Sequence, residues 1–134
     1  MKLWDEDHQQ DIPVAAQIWD TSGSERYRSI VTGHYRAAVG AVLVFDLTER
    51  DTFDCLEHWL KELRDNCDEH CQVALVANKV DLINADPTER KVSKQEIESF
   101  VETNELVFVG ETSAKEDINI KETFETLLER VHAK

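Results

Sequence analysis

Asn78, Lys79 and Asp81 close the apolar run Gln72-Val73-Ala74-Leu75-Val76-Ala77 with an amide, an ammonium and a carboxylate. A strand buried on both faces that stops abruptly at such groups places them where a polar ligand can sit. The chemistry that suits them is the reading of guanine. That base presents a ring N–H and an exocyclic amine side by side, and one carboxylate in the ring plane accepts from both, which is the role open to Asp81. Adenine offers no such pair of donors. Asn78 can bond the base edge and pin the loop, while the aliphatic stem of Lys79 can lie along a ring face. By chance alone N-K-x-D turns up in a chain of this length about 2% of the time.

A second stretch reduces that chance. Glu111-Thr112-Ser113-Ala114-Lys115 follows another buried-strand pattern, Leu106-Val107-Phe108-Val109. In an open parallel sheet, ligands bind beyond the carboxyl ends of neighbouring strands, so two polar loops there can close on one base from two sides. The Ser113 hydroxyl can hold the loop, the Ala114 N–H can donate to the guanine oxygen, and Lys115 can cover the second ring face.

The elements that must position these groups follow from the pattern. Residues 1–4 and 14–19 are expected to form a hairpin around a polar turn at 5–10. Residues 26–38, rich in Tyr and Arg, read as a weakly helical, mobile segment. Residues 40–47 are a near-continuous apolar strand interrupted at Asp46. The helix expected over 52–66 puts Phe53, Leu56, Trp59, Leu60 and Leu63 on one face. Residues 83–91 read as a charged surface insertion. Ser93 and Glu96 form a capping box for a helix that faces Ile97, Phe100 and Val101 inward. The last helix carries Ile120, Phe124, Leu127, Leu128 and Val131 at helical spacing. Strands alternating with helices predict an α/β fold with a parallel sheet, right-handed crossovers and helices on both faces.

The chain has 134 residues, 41% of them hydrophobic, which bounds it to one domain over 1–134. A formal charge of −13 argues against nucleic-acid backbones and anionic membrane surfaces as partners. No apolar run is long enough to span a bilayer, and the odd set Cys55, Cys67 and Cys71 suits a reducing, cytoplasmic setting. Cys67, His70 and Cys71 lack a second pair at zinc-ligand spacing.

Taken together, Trp19-Asp20-Thr21-Ser22-Gly23-Ser24-Glu25-Arg26-Tyr27-Arg28-Ser29-Ile30, the strand from Gly40 to Asp46, Asn78-Lys79-Val80-Asp81 and Glu111-Thr112-Ser113-Ala114-Lys115 resemble, in order and spacing, a Ras-like small GTPase. Trp19 before the Asp and the Glu25-Arg26-Tyr27-Arg28-Ser29-Ile30 run resemble the Rab branch, in the style of its recycling-endosome subgroup. The resemblance implies a three-layer G domain of the P-loop NTPase type, GTP and GDP with magnesium as cofactors, and a switch function in vesicle trafficking. Residue by residue it implies that Asp20 holds magnesium through water and that the Gly23 N–H meets the terminal phosphate. Asn78, Lys79 and Asp81 with Ser113, Ala114 and Lys115 match its base-reading loops. Trp19 and His34 match positions that face Rab effectors and regulators.

The departures from that pattern set further expectations. Such a GTPase cradles phosphates with G-x-x-x-x-G-K-S/T, and none of the glycines Gly23, Gly33, Gly40 and Gly110 is followed by lysine. The family's first strand, phosphate loop, first helix and first switch would fall before Met1, so the chain reads as an incomplete G domain. Losing three or four charge-assisted hydrogen bonds removes about 5 to 10 kcal/mol, or about 4 to 7 powers of ten in affinity. At the catalytic position Ser24 replaces the glutamine that orients water, which predicts slow hydrolysis. Unpaired central strands predict self-association. No cysteine near the carboxyl end offers a site for a lipid anchor. The alternative function is a nucleotide-independent interaction module, a pseudo-GTPase. A phosphoacceptor reading of Asp20, Asp46 and Lys115 lacks the acidic pair it needs.

Overall fold

The computed structural model describes residues 2–5, 9–18 and 35–133. Two apolar heptapeptides carry the centre: β3 (Gly40–Asp46) and β4 (Gln72–Asn78) run parallel and in register from Gly40 opposite Gln72 to Asp46 opposite Asn78. β5 (Val107–Glu111) pairs with the other edge of β4, also parallel, giving the order β3-β4-β5. Parallel neighbours need crossovers. The first is made by α1 (Arg50–Asp54) and α2 (Leu56–Asn66). The second is made by α3 (Val80–Ala85), a 3-10 turn (Pro87–Glu89) and α4 (Lys94–Thr103). α5 (Ile120–His132) closes the described chain.

Side-chain alternation along β4 sorts the layers. Val73, Leu75 and Ala77 join Phe45 of β3, Leu56, Leu60 and Leu63 of α2 and Ile97 of α4 in one buried cluster. On the opposite parity, Gly40 lies under α5, where a Cβ would stand 3.1 Å from Val131 Cγ2 and 3.5 Å from the Leu127 methyls. The sheet is therefore sandwiched, as the alternation of strands and helices predicts. Ala74 and Leu75 are fully enclosed, and burying a leucine side chain of this kind contributes about 2 kcal/mol.

Local signals explain the helix ends. The Ser93 hydroxyl accepts from Glu96 N–H at 3.1 Å and Glu96 Oε2 accepts from Ser93 N–H at 2.9 Å, the expected capping box. The helix expected over 52–66 is two short helices that meet at Cys55, whose own backbone stays helical at φ −76° and ψ −12°. Residues 83–91 are only partly an exposed insertion. Val80–Ala85 is helical and buries Val80 and Ile83 against the core.

The opening hairpin differs from expectation in its second strand. β1 (Lys2–Asp5) pairs antiparallel with β2 (Gln10–Pro13), Lys2 opposite Pro13 and Asp5 opposite Gln10, while residues 14–18 have no ladder. Proline fixes φ and has no N–H to extend pairing, so the strand ends at Pro13 rather than beginning beyond it.

β5 carries an irregularity of direct consequence for the site. Leu75 and Ala77 of β4 are two residues apart, yet their partners Phe108 and Glu111 are three apart. One extra residue on one strand is a β-bulge. Gly110 within it has φ +121°, and a Cβ there would lie 2.7 Å from Asn119 Nδ2. Gly110→Ala is accordingly expected to cost about 1 to 3 kcal/mol, read as a lower urea midpoint at unchanged slope. A change within about 0.5 kcal/mol, the usual scatter of surface substitutions, would contradict this reading of the bulge.

Candidate functional site

The carboxyl ends of β4 and β5 are stitched together by four hydrogen bonds. Thr112 N–H donates to Ala77 O at 2.7 Å, and Val80 N–H donates to Thr112 O at 2.9 Å. Asn78 Oδ1 accepts twice, from Thr112 Oγ1 at 3.1 Å and from Ala114 N–H at 3.1 Å. A backbone N–H can only donate, so the atom it meets must be the amide oxygen. This fixes the Asn78 side chain and turns its Nδ2 away from the seam. Thr112 and Ser113 are enclosed, at 1% and 0% exposure.

The second loop is closed on itself as well. Ser113 and Ile118 exchange backbone bonds at 3.1 and 2.9 Å, and Ser113 Oγ accepts from Glu116 N–H at 3.0 Å. The expected loop-holding role of the Ser113 hydroxyl thus has its partner in Glu116. Asn119 Nδ2 donates to Glu111 O at 3.3 Å from the far side of the loop. Below it, Arg90 Nη2 donates to Glu111 Oε2 at 2.9 Å and lies 2.7 Å from Oε1, a charge contact without hydrogen-bond alignment. The Arg90 and Glu111 side chains are only 21% and 16% exposed, so the pair anchors the loop to the segment before α4.

Lys79 holds the left-handed conformation, φ 71° and ψ 32°, at the turn from β4 into α3. For a lysine this costs about 1 to 2 kcal/mol, and strain of this kind persists where surrounding bonds impose it. Its Nζ lies 2.6 Å from Asp46 Oδ2 on the neighbouring strand. The in-register pairing of Asp46 with Asn78 brings the two together. The Asp46 carboxylate also accepts from Thr48 N–H at 2.8 Å and Thr48 Oγ1 at 2.7 Å. Burial on its own pushes Asp46 up, but the Lys79 ammonium and the Thr48 donors outweigh it and hold the carboxyl below the usual aspartate range. Lys79 is raised, first by its bond to Asp46 and then by the charge of that carboxylate.

Asp81 differs from its neighbours. It is half-buried in the first turn of α3 and takes no hydrogen bond or ion pair from the described residues. Ala114 and Lys115 are exposed. The structure therefore gathers Asn78, Lys79, Asp81, Ser113, Ala114 and Lys115 on two adjoining loops at one end of the sheet. Two polar groups of these loops are engaged inside the fold. The Ala114 N–H expected to meet a base oxygen is directed at Asn78, and the Lys79 ammonium is directed at Asp46. Trp19, Asp20, Gly23, Ser24 and His34 lie outside the described residues. Among the described residues no group of three His, Cys, Asp or Glu side chains could hold a metal ion.

Sequence reasoning missed Thr112, Asp46 and Arg90 as parts of this site. Asp46 was findable, because both apolar runs end on a polar residue and parallel alignment sets those ends side by side. Thr112 and Arg90 had no comparable signal, since their partners lie 34 and 21 residues away.

Comparison with known proteins gives consistent relatives. The Ras family profile matches residues 5–133. The human "Ras-related protein Rab-25" is 50% identical over 121 residues, covering 90% of this chain and 54% of that protein. The rice "Ras-related protein RGP2" is 46% identical over 119 residues, with 89% and 52% covered. The Schizosaccharomyces pombe "GTP-binding protein ypt3" is 45% identical over 118 residues, with 88% and 53% covered. The chain spans about half the length of the curated relatives it matches.

The Asp46 cluster carries a pH signature. A carboxyl held low in the folded state stabilises above its unfolded value, and that contribution is lost as pH falls through the folded one. Asp86, lowered by Thr88, and Glu96, lowered first by Ser93 N–H and then by Arg50, titrate in the same direction. The wild-type urea midpoint should therefore fall as pH drops below about 4, and Asp46→Asn should fall less steeply over that window. Parallel profiles would contradict the assignment to Asp46.

Proposed function

The chain belongs to the Ras family of small GTPases, among its Rab-like members, and from that premise we propose that these residues form the base-reading half of a guanine-nucleotide site. The observation that carries the proposal is Asp81, a half-buried carboxylate that takes no hydrogen bond or ion pair from the described residues, feeling only the charge of Lys79, while its neighbours are bonded to one another. A guanine edge supplies the two parallel donors that such a carboxylate lacks. Asn78 Nδ2, turned outward by the bonds on its oxygen, faces an acceptor on the base. Ala114 N–H divides between Asn78 and the base oxygen. Lys115 and the stem of Lys79 cover the ring faces.

The phosphate side has fewer groups to offer. The 134 residues contain no G-x-x-x-x-G-K-S/T, so this chain binds GTP or GDP weakly. Magnesium, which the family uses to neutralise phosphate charge, would rest here on Asp20 alone. With Ser24 in place of the water-orienting glutamine, hydrolysis is slow. The function in vesicle trafficking then passes to recognition of Rab-type effectors and regulators, with Trp19 and His34 as contacts, on the cytoplasmic side of endomembranes.

A second reading has its own observation. Asn78, Ala114, Lys79 and Asp46 satisfy one another without a ligand, as a nucleotide-independent interaction module built on the same fold would require. The two readings separate by titration of labelled protein with guanosine and adenosine at millimolar concentrations. The base-reading account expects amide shifts at Asn78, Asp81, Ala114 and Lys115 with guanosine only, and at least a tenfold loss of affinity in Asp81→Asn. Equal responses to the two nucleosides, or none, favour the interaction module.

A further inference from the structure

Cys67 and Cys71 bracket the turn between α2 and β4, at the end of the sheet away from the base-reading loops. α2 stops at Asn66, and Cys67 continues in extended backbone, φ −100° and ψ 169°, with its N–H on Leu63 O at 2.8 Å. The chain then reverses: Cys71 N–H donates to Asp68 O at 3.0 Å and His70 N–H to the Asp68 carboxylate at 2.8 Å. This reversal sets the two cysteines on either side of one tight turn. Cys71 belongs to the main core at 7% exposure, and Cys67, half-buried, packs against the same cluster. Cys55 is exposed at the junction of α1 and α2 and takes no part.

We propose that Cys67 and Cys71 are a modification site, a cystine-forming pair closed by exchange with a low-molecular-weight disulfide of the glutathione class. Two thiols on one short turn, one enclosed and one reaching solvent, divide the roles of exchange between them. Cys67 loses its proton to solvent and attacks one sulfur of glutathione disulfide. The S–S bond breaks, and the departing glutathione thiolate takes up a proton. Cys71 then loses its proton, attacks Cys67 Sγ and releases the second glutathione. Two protein thiols are oxidised to one disulfide, and one glutathione disulfide is reduced to two glutathione molecules. Burial first, and the adjacent Cys67 second, push the Cys71 thiol up to about 12, which makes Cys67 the entry point. The bond ties the end of α2 to the start of the strand that carries Asn78.

The test uses the 134-residue protein in glutathione redox buffers, quenched by alkylation and digested with trypsin. Residues 65–79 leave as one peptide holding both cysteines, and Cys55 leaves in another. The expected product is the 65–79 peptide two hydrogens lighter and unalkylated. Its equilibrium constant should be at least tenfold above that of the same chain unfolded in urea, a difference of about 30 mV for a two-electron couple. In Cys71→Ser, Cys67 should stop as a glutathione adduct. A native constant equal to or below the unfolded one, a wild-type reaction that halts at the adduct, or a Cys71→Ser protein that forms no adduct would each overturn the proposal.

Discussion

The site depends on one amide oxygen. Asn78 Oδ1 accepts from the Thr112 hydroxyl and the Ala114 N–H, so the loop after β4 and the loop after β5 share an atom rather than merely facing each other. A neutral hydrogen bond contributes about 1 kcal/mol net, which is modest against the whole fold. Its weight here comes from location. Thr112 is enclosed, and its hydroxyl and N–H would be left without partners if the seam opened. Such buried orphans cost about 1 to 3 kcal/mol each, so the seam is held by the penalty for breaking it.

The layers beneath serve that seam. A strand buried on both faces cannot shift its register without moving its whole apolar set, and β4 is buried along its interior from Val73 to Ala77. Its end is therefore fixed with the precision of the core, and Asn78 is the next residue. On one side β3 delivers Asp46 to Lys79. On the other, the bulge at Gly110 lets β5 gain a residue and still bring Thr112 to Ala77. Arg90 then holds the Glu111 carboxylate and Asn119 its carbonyl oxygen.

Much of this was readable from sequence where a single physical rule dominated. The parallel strands follow from apolar runs ended by polar residues, and α4 from its capping box. Other features depended on partners that sequence order hides. Hydrophobic alternation alone predicts the hairpin's second strand at 14–19, whereas Pro13 sets the limit of the ladder. The helix of Val80–Ala85 is too short for helical periodicity to reveal, although Val80 and Ile83 bury themselves through a single turn. The internal partners of the Ala114 N–H and the Lys79 ammonium could not be read without the register that sets Asp46, Asn78 and Thr112 side by side.

The most direct measurement is a double-mutant cycle on folding stability between Asn78→Ala and Thr112→Val. A shared, enclosed hydrogen bond across the seam predicts that the two losses fail to add, with a coupling of about 0.5 to 3 kcal/mol. Additive losses would mean that the two loops are energetically separate, and the claim of one joined base-reading mouth would fall with them.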